Sequence, residues 1–488
     1  MWWQIGEPVT DEDFKRRVSM NRASDWLTKA VHEKIHEKSL EMLATVGVLF
    51  HCQEAVDVFT AHGFKVDGNV VFFTEGQMTK AIETVPSSFT LSARNPENDI
   101  VLGGDNFVLA PGYGPSNMMD NDGNVRMAVM DDFESLCKLV QTSPALDLNS
   151  AIVVQPNDLP AQTSHINMLA TSILLTDKPL MCSTVSNQAV KDSLALARCV
   201  WGEDLQEKIV MLGLVDGLDP LTFAEESCQA LIRQAEAGQA TIVHSGGIMG
   251  VTSPVSIIGT LATTNAIILA GIALSQLVLP GAPVVYGMGG SPMNFQNGEY
   301  TNASTYDIRH TAIAAKMANY YNFPCRTHTC LTDSYSVDYQ AGMESGAMVL
   351  SAAYSGGNIG MHACGTLGAM TSMNFAKFLL DEQACLTAKR AIEEVRMEEK
   401  LWYTALVEEM GHKANYMMHP ETAKNCRGFF VPKIFTKENH NRWQKRDDRD
   451  IVTRAQAAYE ERIRTYQAPA IDEDVKAKIE NYVAHHTL

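Results

Sequence analysis

The sequence predicts an α/β fold, a (β/α)8 TIM barrel carrying helical N- and C-terminal extensions. Three observations predict it. Short apolar runs recur eight times between residues 107 and 365, and segments of helical periodicity separate them. The unit strand–helix repeats over about 270 residues, the length and count of such a barrel. A doubly wound open sheet would carry a Gly-x-Gly-x-x-Gly turn after its first strand, and GYGPSN at 112–117 lacks the third glycine.

Residues 1–105 form an N-terminal α+β extension in this reading. SDWLTKAVHEKIHEKSLEMLATVG at 24–47 brings Leu27, Val31, Ile35, Leu40 and Leu43 near one helical face, and Gly47 stops it. VGVLFH, FKVDGNVVFF and SSFTLSARN read as short strands, with Asp67-Gly68 as a turn signal.

The barrel is expected over 106–372. Its strands are FVLAPGYG (107–114), SAIVVQP (150–156), KPLMCST (178–184), KIVMLGLVD (208–216), ATIVHSGG (240–247), APVVYGMGG (282–290), PCRTHTC (324–330) and GNIGMHACG (357–365). Asp131, Thr163, Ser186 or Asn187, and Ser253 followed by Pro254 are plausible caps for the intervening helices. Residues 373–488 return to helices, including MNFAKFLLDEQACLTAKRAIEEV and the charged, amphipathic DIVTRAQAAYEERIRTY, which suits a surface or a subunit contact.

Composition narrows the function. The chain of 488 residues is 45% hydrophobic and carries a net charge of −18 with no uninterrupted basic tract, which argues against nucleic acid as a partner. Ten scattered cysteines without a C-x-x-C pair read as reduced thiols of a cytoplasmic protein. The N-terminus lacks the charged start and apolar core of a secretory signal. The apolar stretch 254–279 is interrupted by Thr263, Thr264, Asn265, Ser275 and Gln276, so a buried helix is expected rather than a membrane span.

A barrel places its chemistry at the carboxyl ends of its strands. Those ends read Tyr113, Gln155, Thr184, Asp216, His244, Met288, His328 and His362, a set rich in imidazoles and hydroxyls with one carboxylate. A glycosidase needs two opposed carboxylates, and Asp216 has no evident mate. Ser245 in HSGG lacks the Gly-x-Ser-x-Gly context and reads as a turn residue. His362 and Cys364, two apart on a strand and so on one side, admit a zinc site together with Cys325 or Cys330. Packing explains the same cysteines without any metal. The loop GMGGSPMNFQNGEYTNASTYD at 287–307 offers aromatic rings and amides, which suit a quaternary ammonium through ring quadrupoles.

Two stretches carry a resemblance. FVLAPGYGPSNMMDNDGNVRMAVMDDF and LTDSYSVDYQAGMES (331–345) resemble the first barrel strand with its loop, and the segment after strand seven, of the trimethylamine methyltransferase family. The similarity extends across nearly the whole chain. Archaeal members acting on trimethylamine contain pyrrolysine; this chain has only standard residues and so looks like the non-pyrrolysine branch. The resemblance implies methyl transfer from a quaternary amine, glycine betaine first, with proline betaine and carnitine as alternatives. The acceptor it implies is the Co(I) corrinoid (cobalamin) of a separate cognate protein, with no tightly bound metal on this chain. From their positions at strand ends and in loops, Tyr113, Phe295, Tyr306 and His362 are expected to contact the trimethylammonium group, and His328 and Asn294 to orient it. Arg309 is expected to pair with a substrate carboxylate, and Asp333 and Gln340 to shape the mouth facing the partner. A homo-oligomer fits the helical ends. A zinc-dependent corrinoid/thiol methyltransferase and a non-catalytic amine-binding barrel are the alternatives.

Overall fold

The computed structural model describes residues 28–413 and 415–487. The N-terminal stretch read against a signal, and Leu27, lie outside them.

Seven parallel strands curl into a barrel wall: β1 (Val108–Leu109), β2 (Leu180–Met181), β3 (Met211–Asp216), β4 (Ala240–Met249), β5 (Val284–Asn294), β6 (Cys325–His328) and β7 (Ile359–Met361). Their spatial order is β1-β7-β6-β5-β4-β3-β2. The expected strand at 150–156 does not form. Residues 147–155 instead close the gap between β1 and β2 as irregular chain. Asp147 N donates to Leu109 O at 2.9 Å, Met181 N to Asn149 O at 3.0 Å, and Gly114 N to Ile152 O at 2.8 Å. The reason lies in the side chains. Asn149 Oδ1 accepts from Ser150 N at 3.0 Å and Ser150 Oγ from Ile152 N at 3.2 Å, so donors that a ladder would use are taken locally.

β4 and β5 run longer than expected and stay paired as far as Met249 and Pro292, rising above the other strands. β5 then turns back through the hairpin strand Glu299–Tyr300.

The apolar stretch after β4 forms the helix Ile257–Val278, in which every residue from Thr260 to Gln276 is buried. It is the one helix among the described residues long and apolar enough to cross a membrane, and it serves as a core helix. Its apolar side chains join one cluster with those of the N-terminal helix Lys29–Thr45 and the helix Gln53–Ala61. Strand Val48–Phe50 adds parallel to Thr222–Phe223 of the barrel, so the N-terminal elements share the barrel's core.

At the other end, helix Phe375–Ala391 is fixed by a buried Lys377–Asp381 pair at 2.6 Å. Arg462 of helix Ile451–Arg464 forks onto Glu382 at 2.6 and 2.9 Å, and Tyr459 stacks on Phe375 with centroids 4.3 Å apart.

Candidate active site

One rung of the sheet sets the floor of the site. Asp216 pairs with His244, His244 with Gly287, and Gly287 with Arg326, so these four positions lie side by side on β3 to β6. Residues paired across a sheet face the same side. Gly287 leaves the space that the neighbours fill: a Cβ there would lie 3.1 Å from His244 Cβ. Two residues higher, a Cβ on Gly289 would lie 3.0 Å from His244 Nε2 and 3.1 Å from His328 Nε2.

The charged and imidazole groups form one network. Asp216 Oδ1 accepts from His244 Nδ1 at 2.5 Å. Arg326 Nη1 donates to His328 Nε2 at 2.8 Å and Nη2 to His362 Nε2 at 3.3 Å. The His328 and His362 rings stack with centroids 5.5 Å apart, and His244 meets His328 edge-on at 5.8 Å. His362 takes a left-handed backbone, φ 64°, a conformation that non-glycine residues keep only where the surroundings impose it. This bend ends the strand alternation expected to aim His362 and Cys364 the same way. His362 joins Arg326, whereas Cys364 packs with Cys385, itself 3.6 Å from Cys330. The zinc set that the sequence admits as an alternative is not brought together among the described residues.

Protonation follows from the surroundings. Burial first, and the Arg326 charge second, push His244, His328 and His362 below the usual imidazole value, so all three are neutral near pH 7. Burial lowers Arg326 to about 10, opposed by Asp216. Burial also works against ionised Asp216, but His244 and then Arg326 outweigh it and hold the carboxyl below its usual value. The Asp216 side chain keeps 57% of its exposure because the mouth is open above it, and solvent access also favours the charged form. No direct ion pair joins Asp216 and Arg326, which stand three strands apart.

Hydrogen-bond roles then fix the tautomers. Arginine only donates, so His328 and His362 accept at Nε2 and carry their protons on Nδ1. Both Nδ1 atoms, and Arg326 Nε, are buried donors without a partner. His244 donates from Nδ1, which leaves its buried, unpartnered Nε2 as an acceptor. A buried donor left unpaired costs about 1–3 kcal/mol, and a ligand bearing an anionic group would relieve that cost.

Several expected residues join this network. Tyr113 is half-buried within reach of Asp216, Cys182 and Arg326, and its phenol bonds Thr184; burial and Asp216 push its pKa up. His328 and His362 are central. Others lie elsewhere. Phe295 is 57% exposed at the tip of the β5 hairpin, packed against Gly250. It is six residues beyond Gly289, of the order of 15–20 Å along an extended chain, so one trimethylammonium group does not span Phe295 and His362. Asn294 pairs with Glu299 in that hairpin and accepts from Gln296 N at 3.0 Å, which makes it a turn residue. Tyr306 opens the helix Thr305–Tyr321 and is 42% exposed, and Arg309 lies on that helix's exposed side. The helical period turns Arg309 away from the buried face at His310, Ala314 and Met317, whereas Tyr306 is in line with that face but stands in the first turn, where it is exposed.

The T-D-S segment is a hydrogen-bonded brace. Asp333 accepts from Asn302 N at 2.8 Å, and Glu344 accepts from Thr332 Oγ1 at 2.6 Å and Asp333 N at 3.0 Å. Asp338 caps the helix Tyr339–Ser355 by accepting from Ala341 N at 2.9 Å, and exposed Gln340 donates to Glu344 at 3.0 Å. Asp333 thus ties this segment to the loop at Asn302, and Gln340 braces Glu344.

Asp216 and His244 are strand ends to which the sequence reading gave no contact with substrate, whereas Arg326 lies inside β6 and His310 on the helix Thr305–Tyr321. The His310 ring lies against the Gly289–Gly290 backbone, where a Cβ on Gly290 would come within 2.6 Å of Cε1. Its place was legible, because Ile313, Ala314 and Met317 follow it on one helical face.

A parallel barrel with a polar well at the carboxyl ends of its strands is the layout of a barrel enzyme. A sequence profile of the trimethylamine methyltransferase (MTTB) family matches residues 6–488, and the chain belongs to that family and is a methyltransferase. It is 32% identical to a glycine betaine methyltransferase of Desulfitobacterium hafniense (strain Y51), covering 94% of this chain and 96% of that one. It is 28% identical to a proline betaine:corrinoid methyltransferase of Eubacterium limosum, covering 92% and 95%. The fold is similar to that of the Methanosarcina barkeri monomethylamine methyltransferase, with a TM-score of 0.52 at 13% identity over 94% and 96% of the two chains.

Proposed function

We propose that the protein moves a methyl group from a zwitterionic quaternary amine, glycine betaine first, to the corrinoid of a separate partner protein, in the cytoplasm. The observation that carries this reading is the bipolar site. An ionised carboxylate, Asp216, stands on one rung of the sheet with Arg326, and Arg326 Nε, His328 Nδ1 and His362 Nδ1 are buried donors without acceptors. A substrate with one cationic and one anionic end matches that pair; trimethylamine, with no anionic end, leaves the donors unpaired.

Each group has a task in this reading. The Arg326 guanidinium, oriented by His328 and His362, receives the substrate carboxylate. Asp216 and the Tyr113 ring face the ammonium end, where a ring face adds about 0.5–1 kcal/mol or more. Asp216 also holds His244 in the tautomer whose Nε2 lone pair is free, so no N–H proton is aimed at the methyl groups. The neutral imidazoles put no second positive charge beside the substrate.

The partner's corrinoid supplies a Co(I) nucleophile that accepts the methyl group. What this chain provides is access and orientation. Exposed Asp216, Tyr335 (64%) and Tyr339 (88%) leave the well and its rim open to a docking protein. A quaternary nitrogen leaves as a neutral amine without protonation, which accounts for a site with no general acid near pH 7. Exclusion of water on docking would strengthen the orienting charges.

The test is spectroscopic. The protein is mixed with Co(I) cobalamin and glycine betaine, proline betaine, carnitine, choline or trimethylamine, and Co(I) absorbance is followed. Loss of absorbance with the betaines, glycine betaine fastest, with dimethylglycine formed in step, is expected. Turnover of trimethylamine or choline in preference to every betaine would sink the assignment.

A further inference from the structure

Cys52 and Cys228 meet where the N-terminal element joins the barrel. Strand Val48–Phe50 runs parallel to Thr222–Phe223, with Phe50 opposite Phe223 and their rings stacked 5.4 Å apart. His51 N continues the ladder by donating to Phe223 O at 2.9 Å. Each strand then passes at once into a helix, Gln53–Ala61 on one side and Glu225–Glu236 on the other. Arg233 Nη2 of the second helix donates to both carboxylate oxygens of Glu54 on the first at 2.7 Å, which clamps the two helices together. Cys52 is the residue that caps the first helix, and Cys228 lies one turn into the second. Their side chains touch: the Cys228 thiol donates to the Cys52 sulfur.

The surroundings treat the two sulfurs differently. Cys52 also accepts from the N–H groups of Ala55 and Glu54, amides that a helix start otherwise leaves unpaired. The Cys228 bond first, and these amides after it, hold the Cys52 thiol below its usual value although burial opposes them. The same bond, with burial, pushes the Cys228 thiol above its own. Cys52 is thus the sulfur that ionises, and Cys228 the one that keeps its proton. Cys330, Cys364 and Cys385 also lie together, but all three are fully buried and none of them caps a helix. Cys52 is covered as well, yet its chain neighbours His51 and Gln53 are exposed, so it lies just below the surface.

We infer that Cys52 and Cys228 form a peroxide-reactive thiol pair, which closes into a reversible disulfide between the N-terminal element and the barrel. The Cys52 thiolate attacks one oxygen of hydrogen peroxide, the O–O bond breaks, and hydroxide leaves Cys52 as a sulfenic acid. The Cys228 sulfur then attacks the Cys52 sulfur and displaces the second oxygen, which departs as water with the proton from Cys228. Two thiols lose two electrons, and the peroxide is reduced to two waters. A sulfenic acid without a neighbouring thiol oxidises further to a sulfinic acid that thiols do not reduce, and Cys228 stands in contact to prevent this. Exchange with a small thiol restores the pair. The inference is independent of the methyl-transfer reading, because it is read from thiol count and cross-link alone.

The experiment treats the reduced full chain with hydrogen peroxide, blocks remaining thiols with iodoacetamide, and maps the digest by mass spectrometry without reductant. A peptide joining Cys52 to Cys228 is expected, with a thermal midpoint raised by several degrees, and dithiothreitol should reverse both. Cys228→Ser should abolish the cross-link and leave Cys52 as a sulfinic acid, whereas Cys52→Ser should leave Cys228 reduced. Circular dichroism verifies that both near-isosteric variants fold. Exposed Cys426 serves as the reference for an unassisted thiol. Oxidation of Cys426 while Cys52 and Cys228 stay reduced would overturn the inference. So would a wild-type Cys52 that goes directly to the sulfinic acid, or one that pairs with a cysteine other than Cys228.

Discussion

Arg326 Nη1 donates to His328 Nε2 at 2.8 Å, and that bond decides which proton His328 can offer to a substrate. The imidazole is neutral, its acceptor nitrogen is occupied, and its remaining N–H is buried without a partner. The same guanidinium treats His362 the same way at 3.3 Å. Arg326 is therefore both a charge and the group that sets two tautomers.

Arg326→Met should remove the anion-binding end of the well. Loss of one partner of a buried charged contact costs about 2–5 kcal/mol, so kcat/KM for glycine betaine should fall by roughly 30- to 5,000-fold. The loss should fall far less on a substrate with no carboxylate. Steady-state kinetics on both substrate classes, with a melting curve to verify folding, checks this.

Asp216→Asn keeps the shape and removes the charge. His244 then loses the carboxylate that accepts from Nδ1 and fixes its tautomer. Affinity for cationic substrates should fall by about tenfold or more, in line with about 1.5–3 kcal/mol for a charge-assisted bond. Calorimetric titration with glycine betaine measures it.

Gly289→Ala places a methyl group 3.0 Å from His244 Nε2 and 3.1 Å from His328 Nε2. Both rings are held by Asp216 and Arg326 and have little room to move. Overpacking of this kind costs about 1–3 kcal/mol of stability, and methyl transfer should slow by an order of magnitude. Thermal unfolding and turnover of the variant report the two effects.

His310 predicts a dependence of stability on pH. Burial lowers its pKa to about 4, against about 6.5 in an unfolded chain. Between these values the unfolded state binds a proton that the folded state does not, so this contribution is intact above pH 6.5 and is lost as pH falls toward 4. The loss is about 1.4 kcal/mol per pH unit. His310→Gln should flatten that part of the curve relative to wild type. Denaturant unfolding at pH 7, 6, 5 and 4.5 tests it.

The barrel was legible because its apolar runs and helical segments recur at a steady spacing, and the strands with continuous apolar character formed as expected. SAIVVQP failed as a strand because Asn149 and Ser150 satisfy local donors with their side chains, which hydrophobicity alone does not register. The strand-end reading includes Tyr113, Asp216, His244, His328 and His362, all members of the network, but not Arg326, which is not the last residue of β6. The period of two, applied to Cys325–His328, puts Arg326 on the same face as His328. The hairpin rings and amides misled for a different reason. A long loop suggests a binding surface, but β4 and β5 carry this one well above the rung at Asp216, His244 and Arg326.

The most direct measurement compares the binding of glycine betaine and choline to the wild-type protein by calorimetric titration. The two share a trimethylammonium group and differ in the carboxylate. A site spanned by Asp216 and Arg326 predicts that glycine betaine binds at least tenfold more tightly, and that Arg326→Met abolishes the difference. Equal binding of the two, or a preference that survives Arg326→Met, would contradict the account.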